Sequence, residues 1–439
     1  MEQRKETPWG MVPQTWKISI VKDEALLVTD YVANGSFASL AENVEYKSEE
    51  DYAVLVRLVD YNNDFQGPFV FIDESAYEFL AKSKLYGDEI IISNVGANVG
   101  TVFKCPKLKW KMSLAPNAIM VKFKGNNDFY YYWLKSKYGQ YMLSSIVTGS
   151  AQPKFNKTNF RDLAIPVPPI SEQKQIAKVL ASLDDKIELN RRINDNLEQQ
   201  AQALFKAWFV DFEPFRDGEF VNSVLGSTPK ELPITYIENI PHNIESGKRP
   251  KGGATLIGVP SIGAENIKGL GYYDYSKTKY IPEEYAQTIK KGKINGYELL
   301  IYKDGGKPGY FIPNFTIFGE GFPFNEMYIN EHVFLLDLMD CGYNVFAYFY
   351  MQTPYIMNQL NSIGGKAAIP GINTKDVECL PIYSNESPYV KKFGEIVLPF
   401  IKTILSNSLE NAKQAKVRDT LLPKLMSGEL KINEIETEK

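Results

Sequence analysis

The feature that most constrains the fold of this chain is a long heptad seam that occurs twice. In Ser171–Phe209 the seam positions alternate in steps of four and three residues, which is the a/d spacing of a coiled coil. They include Ile176, Leu180, Leu183, Ile187, Asn190, Asn194 and Leu197. The same spacing returns 217 residues later, at positions that include Phe400, Ile404, Asn407, Asn411 and Leu421. Since neither helix can bury such a stripe alone, we predict that the two helices bury each other.

Two asparagines occupy the middle of each stripe, Asn190 with Asn194 and Asn407 with Asn411. A buried asparagine costs stability but penalises wrong alignments of a helix pair. In an antiparallel pair the middle of one helix faces the middle of the other, so we predict that these four side chains meet and set the register. The alternative is that they are solvated edges of the seam.

The residues before each helix are also repeated. Gly87–Gly100 matches Gly296–Gly309 without a gap, and both segments are typical of a strand that runs into a glycine-bearing loop. The predicted fold class is therefore α+β. Two globular domains related by internal duplication are separated by two long antiparallel coiled-coil helices, with pseudo-twofold symmetry. The predicted domains are residues 1–169 and 216–385, and the helical segments are 170–215 and 386–439.

Local patterns refine this outline. Val54–Leu58, Glu89–Ile92 and Ala118–Val121 are apolar runs typical of strands, whereas Phe129–Ile146 has helical spacing. Ser387 and Pro388 are a good N-cap and first residue for the second long helix. Pro399 lies inside that helix and is expected to bend it or break its first turns.

Composition excludes several classes of protein. The chain has 439 residues, a net charge of −4, three cysteines in no paired spacing and two histidines. These numbers favour neither a disulfide framework nor a metal centre. His332 lies in an apolar run and is expected to be a satisfied strand residue. The polar N-terminus and the lack of a long apolar stretch predict a soluble, cytoplasmic protein without a membrane span.

Residues that carry catalysis are not apparent, because the chain has no GxxxxGK[ST] phosphate loop, no HExxH zinc motif and no aromatic-Pro-Pro methyltransferase motif. Binding residues are better supplied. Lysines on loops suit phosphates, and Asn, Gln, Ser and Arg suit base edges. The candidates for DNA contact are Lys84, Ser93, Asn94, Asn98, Gln152, Lys154, Lys248, Arg249, Lys303, Lys307 and Lys366. The alternative for any one of them is an ordinary surface residue.

Five segments together resemble the specificity subunits of type I restriction–modification systems, over nearly the whole chain. They are Val12–Trp16, Gly87–Ile90 with the following Gly96 and Gly100, Leu204–Phe212, Leu421–Leu430 and, most specifically, Ile165–Lys174, which reads IPVPPISEQK. The second copy departs from the last motif, since Pro381–Glu386 lacks the double proline and the Glu-Gln pair. That departure affects the start of the second helix but not the duplication.

The resemblance implies that each globular domain is a target recognition domain that reads one half of a split double-stranded DNA site. It implies that the helices are a spacer and dock two modification subunits, which carry S-adenosylmethionine and methylate adenine. Restriction subunits would add ATP- and Mg-dependent translocation and cleavage. This chain would then bind no cofactor and supply no catalytic residue. The alternatives are an enzyme in its own right, or a coiled-coil scaffold that binds proteins without DNA.

Overall fold

The fold is seen in a computed structural model that describes residues 3–305, 311–319, 321–365 and 370–432. The chain divides into two compact units, Met1–Asp185 with Ala415–Lys439, and Lys186–Gln414. Both divisions fall inside a long helix, so each unit contains part of both long helices.

In its described residues the first unit contains twelve strands and seven short α-helices. The strands are β1 Arg4–Thr7, β2 Gly10–Pro13, β3 Lys17–Ile20, β4 Ala25–Asp30, β5 Ala53–Val56, β6 Val70–Ile72, β7 Lys84–Leu85, β8 Ile90–Ser93, β9 Val102–Lys104, β10 Lys111–Leu114, β11 Ala118–Phe123 and β12 Ala164–Val167. The helices are α1 Val21–Glu24, α2 Phe37–Asn43, α3 Leu58–Asn62, α4 Glu74–Phe79, α5 Asn127–Lys135, α6 Lys137–Ser145 and α7 Lys157–Arg161. The first long helix, α8, follows as Ile170–Phe209.

The second unit repeats most of these elements. Its strands are β13 Phe220–Ser223, β14 Gly226–Pro229, β15 Ile234–Tyr236, β16 Asn243–Ser246, β17 Val259–Ile262, β18 Lys279–Ile281, β19 Leu299–Tyr302, β20 Phe315–Ile317, β21 Tyr328–Ile329, β22 Val333–Asp337 and β23 Pro381–Tyr383. Its helices are α9 Glu283–Thr288, α10 Cys341–Met351, α11 Pro354–Gly364 and α12 Thr374–Glu378. The second long helix, α13, is Pro388–Met426.

The strand order demonstrates the duplication. An antiparallel sheet has the order β4-β11-β8-β9 in the first unit and β16-β22-β19-β20 in the second. A second sheet contains one parallel pair in each unit, β5 with β10 and β17 with β21. Each unit also has a hairpin that precedes its other strands, β1–β2 or β13–β14. This shared topology confirms the predicted fold class of two α+β domains related by internal duplication.

The burial of both faces of strand β8 accounts for the apolar run that made the repeat recognisable in the sequence. Ile90 and Ile92 join the core under α5, and Ile91 faces the core of the second sheet, so both faces of the strand are apolar and buried. Glu89, only 3% exposed, accepts hydrogen bonds from the backbone N–H groups of Tyr86, Gly87 and Asp88. In the second unit the buried Glu298 accepts bonds from Asn295 and Gly296. The matched glutamates therefore fix the turn that enters each strand.

Both long helices form over the predicted ranges. α8 is 40 residues and α13 is 39 residues long, and α13 begins at Pro388 as predicted. Of the two outcomes predicted for Pro399, the break is wrong, since α13 continues through it, and the bend stays a prediction. Proline removes one N–H donor near the beginning of a long helix whose apolar face is buried on both sides of it, at Val397 and Ile401. The helix ends before Gly428, which has a φ of +62°.

Two local predictions need correction. The strand predicted for Val54–Leu58 ends at Val56, because Asp60 binds the backbone N–H and the guanidinium of Arg57 and starts α3. The helix predicted for Phe129–Ile146 is two helices, α5 and α6. Ser136 ends α5, and its hydroxyl caps α6 by accepting from the Gly139 N–H.

Among the described residues, no helix combines the length and the apolar character that crossing a membrane requires.

Candidate nucleic-acid interface

In the first unit, two loops that are distant in sequence are joined by backbone hydrogen bonds. The Gly96 N–H donates to the Pro153 carbonyl at 2.9 Å, and the Phe155 N–H donates to the Asn94 carbonyl at 3.1 Å. Val95 and Lys154 form an antiparallel bridge between these bonds. The glycine-bearing loop after β8 therefore forms one surface with the loop before α7.

The second unit contains the same junction. The Gly305 N–H donates to the Pro370 carbonyl at 2.9 Å, and the Ile372 N–H donates to the Lys303 carbonyl at 2.8 Å. Asp304 and Gly371 form the corresponding bridge. The chain thus builds the same joined-loop surface twice. Gly96 and Gly305 have φ values of +96° and +130°, which favour glycine at both positions.

Three of the predicted DNA-contact residues lie together on the first joined loops. Asn98, Gln152 and Lys154 are exposed there. Because the backbone of their loops is fixed by the junction, their side chains extend from a defined surface. An amide pair beside an ammonium group suits base edges beside a phosphate.

Three other candidates of the first unit are less accessible than predicted. Ser93 is only 3% exposed, because it is the last residue of the buried strand β8, so its side chain does not reach the surface. Asn94 is half-buried, and its amide donates to the Phe155 carbonyl. Lys84 lies on the other sheet, 2.7 Å from Glu78, which raises the pKa of the ammonium group. The side chains of these three residues contact their own domain, so they are less available to a ligand than an exposed side chain.

The candidates of the second unit also divide into exposed and internal residues. Lys248 and Arg249 are exposed on the segment after β16. Lys303, predicted to contact phosphate, points inward: its ammonium group donates to Ser246 Oγ at 2.9 Å and lies 4.7 Å from the centre of the Phe334 ring. Lys307 and Lys366 lie outside the described residues.

A polar network in the second unit was not predicted from the sequence. Arg249 forms an ion pair with Glu331, and its guanidinium lies 3.4 Å from the Nε2 of His332. Nδ1 of His332 is 2.5 Å from Asp304 Oδ1. His332 is thus satisfied, as expected, but on the turn before β22 rather than in a strand. It connects Arg249 to the joined loops, a link between distant sequence positions that no local pattern reveals.

The asparagines of the two long helices contact each other. Asn190, only 1% exposed, donates to Asn411 Oδ1 at 2.9 Å and to Glu410 Oε2 at 2.7 Å. Asn407 donates to Asn194 Oδ1 at 2.9 Å. The pairing order is antiparallel, since higher numbers on α8 face lower numbers on α13.

The apolar seam residues lie on either side of this polar centre. In the first unit Ile176 and Leu180 are buried in the core that Leu421 packs against. In the second unit Ile404 is buried, and Leu197 and Phe400 pack against the same core. Leu183 in the first unit and Ile187 in the second are half-buried. A different polar contact occurs in the first unit, where the Arg418 guanidinium is 2.7 Å from Asp184.

Within the described ranges, no three side chains of His, Cys, Asp or Glu come together as a metal site. The joined loops are the surface whose geometry is repeated in the two units. They offer backbone, amide and ammonium groups for binding a ligand.

Comparisons with known proteins agree with this geometry. Residues 32–199 match the family described as "Type I restriction modification DNA specificity domain". The chain is 26% identical to the type I restriction enzyme MjaIX specificity subunit of Methanocaldococcus jannaschii, over 98% of this chain and 97% of that protein. It is 27% identical to the type I restriction enzyme HindI specificity subunit of Haemophilus influenzae, over 63% of this chain and 71% of that protein.

The fold has a solved counterpart in the crystal structure of a type I restriction–modification S subunit from M. genitalium. The TM-score is 0.55 at 16% sequence identity, over 93% of this chain and 96% of that one. Fold, repeated surface and sequence comparison agree with one another. The predicted resemblance is confirmed, since the chain is similar to type I restriction–modification specificity subunits in sequence and to an S subunit in fold.

Proposed function

We propose that this chain gives a type I restriction–modification complex its DNA sequence specificity, and that each unit reads one half of a bipartite target. The observation that carries this proposal is the repeated joined-loop junction, Gly96 to Pro153 and Gly305 to Pro370. Two copies of one binding surface on one chain suit a target that has two separate halves. The residues on the two surfaces differ, which suits halves with different bases.

The partners and cofactors follow as part of the same proposal. Two modification subunits dock on the long helices, bind S-adenosylmethionine and methylate adenine in the recognised site. Restriction subunits supply the ATP- and Mg-dependent steps. This chain contributes recognition and spacing, binds none of these cofactors and carries no catalytic residue. The described residues that support a DNA contact most directly are Asn98, Gln152 and Lys154 in the first unit, and Lys248 and Arg249 in the second.

The test compares two lysines of the first unit in the complex assembled with the modification subunits. Lys154 lies on the joined loops. Lys107, also exposed, follows Cys105, whose N–H bonds to Glu89 at the opposite end of β8. Lys154→Ala is expected to weaken binding to all DNA sequences alike and to lower the slope of log affinity against log salt by about 1. Lys107→Ala is expected to leave both quantities unchanged.

A second variant tests base reading. Gln152→Ala removes an amide that can pair with a base edge, so it is expected to reduce discrimination between target and non-target DNA by about 1–3 kcal/mol. Binding to non-target DNA should stay as it is. An assembled complex that binds no DNA would contradict the proposal and favour the protein scaffold. Equal effects of the Lys154 and Lys107 variants would contradict the placement of the DNA on the joined loops.

A further inference from the structure

One segment of each unit displays apolar side chains to solvent, and the proposed function does not yet use it. We call this segment the connector: residues 31–52 between β4 and β5, and residues 247–258 between β16 and β17. The first connector carries Phe37, which is 82% exposed, and the second carries Leu256 and Ile257, which are 93% and 82% exposed. Among the described residues these are the three most exposed large apolar side chains.

The first connector is firmly attached to its domain. Leu40 and Val44 are buried in the core of the second sheet, and Ser36 Oγ caps α2 by accepting from the Ser39 N–H. The Asn34 amide donates to Ser83 Oγ at 2.8 Å. Phe37 therefore extends from an anchored helix, and its exposure is a property of the folded domain.

In the second connector a turn, instead of a helix, holds the exposed apolar side chains in a defined position. Thr255 exchanges backbone hydrogen bonds with Tyr280, at 2.8 and 3.2 Å. Its hydroxyl also donates to the Ile257 carbonyl at 2.8 Å, which closes the turn that displays Leu256 and Ile257. Burying an apolar side chain of this size is worth about 1.5–3 kcal/mol. Two adjacent apolar side chains that are held in water lose this burial free energy unless a binding partner covers them.

Each connector adjoins the joined loops of its own unit. In the first unit a cavity of about 580 Å³ is lined by Tyr31, Phe37 and Tyr46 of the connector and by Asn94 and Val95 of the glycine-bearing loop. Asn94 Oδ1 is buried and has no hydrogen-bond partner among the described residues. The exposed apolar side chain thus lines the same cavity as the glycine-bearing loop that carries Asn98.

In the second unit polar contacts make the same connection. Arg249 of the connector contacts His332, which contacts Asp304 of the joined loops. The cavity there is smaller, about 240 Å³, and charged groups line it, including Arg249, Lys279 and Glu331. The two domains therefore present different chemistry at equivalent places, which is the arrangement that two different half-sites require.

The grooves of DNA contain one apolar group that distinguishes a base pair, the 5-methyl group of thymine in the major groove. Inserting a side chain between bases instead costs a few kcal/mol of unstacking. We propose that the connectors are a second sequence-reading element. Phe37 packs against the methyl group of a thymine in one half-site, and Leu256 with Ile257 packs against a thymine methyl group in the other. This inference rests on the proposed function.

The test uses the complex with its modification subunits and a target taken from the methylome of a host that expresses it. Deoxyuridine, which lacks the methyl group, replaces each thymine of the half-site in turn. We expect one replacement to weaken binding of the wild-type complex about 3- to 10-fold, the range for one methyl contact. Phe37→Ala is expected to lose a similar factor and to become insensitive to that replacement.

Tyr86→Ala is the matched control, because Tyr86 is 74% exposed and lies at the opposite end of β8 from the joined loops. It should bind like the wild type and keep the sensitivity to deoxyuridine. The pair Leu256→Ser and Ile257→Ser should show the corresponding behaviour at the other half-site only, with Met339→Ala, 57% exposed and beyond the far end of β22, as its control.

Three results would overturn the inference: wild-type affinity in Phe37→Ala, indifference of the wild type to deoxyuridine at every thymine, or a first half-site without thymine. A loss in Phe37→Ala combined with such indifference would indicate stacking between bases. None of these results affects the proposed function, which fails separately if the wild-type complex does not prefer its target to unrelated DNA.

Discussion

At the scale of single residues, the contact between the long helices uses different chemistry in the two units. Asp184 and Arg418 form an ion pair in the first unit, and the Tyr132 hydroxyl donates to Asp184 at 2.7 Å. Their counterparts in the repeat are Ile401 and Ala201, and both are fully buried in the core of the second unit. The same repeat positions thus carry an ion pair in the first unit and buried apolar side chains in the second.

Arg418→Met leaves Asp184 partly buried without its cation. Both side chains of the pair are about one-quarter to one-third exposed, so the expected loss is below the ~3–5 kcal/mol of a fully buried pair, at about 1–2 kcal/mol. Urea unfolding measures it. The double variant Asp184→Asn with Arg418→Met removes the stranded charge and keeps an acceptor for Tyr132, and it should be more stable than the single variant. A double variant no better than Arg418→Met would contradict this account.

Asn190→Ala tests the polar centre of the seam. Asn190 is buried and donates to two partners. Its loss removes the amide donor of Asn411 Oδ1 and leaves Glu410 with Lys186 alone, so it should cost about 1–2 kcal/mol. Asn196, exposed on the same helix, is the matched control, and Asn196→Ala should change the stability by less than about 0.5 kcal/mol. Equal urea midpoints for the two variants would show that Asn190 is no more than a solvated seam edge.

Glu198 makes stability depend on pH. Burial raises the pKa of its carboxyl above the usual value, and Asp195 adds repulsion. Since the folded pKa lies above the unfolded one, the protonated form stabilises the fold, and that contribution is lost as pH rises through the folded pKa. Glu198→Gln stays neutral, so it should melt at a higher temperature than the wild type at pH 7.

The advantage of Glu198→Gln should disappear near pH 4, where the wild-type carboxyl is itself protonated. Glu429→Gln changes an exposed carboxyl and serves as the control, with no expected shift at either pH. If Glu198→Gln melted below the wild type at pH 7, the carboxylate would be a stabilising group and the direction assigned to its pKa would be wrong.

Which polar residues reach the surface was the least predictable property of the site. The sequence placed Ser93 and Lys303 at the ends of strands that lead into glycine-bearing loops, and the structure agrees. Whether such a side chain points out depends on its neighbours in three dimensions. Ser93 belongs to a strand buried on both faces, and Lys303 is held inward by Ser246 of β16, which is separated from β19 by β22 in the sheet. These contacts join residues that are far apart in the sequence, so no local sequence pattern reveals them.

At the scale of elements, regular hydrophobic periodicity predicted the helices and strands reliably. The heptad spacing predicted both long helices, and the match of Gly87–Gly100 with Gly296–Gly309 predicted that β8 and β19 are equivalent. Prediction failed where one hydrogen bond decided the boundary. The Arg57–Asp60 contact ends β5, and the Ser136 cap divides α5 from α6. Such contacts involve one or two residues, so they do not alter a hydrophobic pattern measured over ten or more.

The lengths of the helices lead to a prediction about spacing. Inserting one heptad after Gln199 and another near Lys402, which faces it in the antiparallel order, preserves the phase of the seam. Seven residues add ~10 Å. We expect the gap between the two half-sites of the target to lengthen by two or three base pairs, while the bases of both half-sites stay the same.

Methylome sequencing measures the gap between the half-sites. The host expresses the lengthened chain together with its partner subunits. The same residues inserted after Val224, in the turn of the β13–β14 hairpin, serve as the control and should leave the gap unchanged. A change in the recognised bases with a constant gap would contradict the separation of reading domains from spacer helices.

At the scale of the whole molecule, the chain is one domain design used twice with different surface residues. The duplicated topology, the matched buried glutamates and the matched loop junctions come from the shared design. The connectors differ completely: an anchored helix with an aromatic residue in one unit and a glycine-rich turn with two aliphatic residues in the other. A net charge of −4 for the whole chain agrees with this arrangement, because DNA contact needs only a local group of donors and cations.

If each unit reads its own half of the target, exchanging one domain exchanges one half of the recognised sequence. Residues 216–385 are replaced by the matching domain of another specificity subunit, and the methylome of a host that expresses the chimera with its modification subunits is sequenced. We predict a bipartite target in which one half and the gap are those of the parent chain, while the other half is that of the donor. A target in which both halves change, or a single uninterrupted target, would contradict the claim.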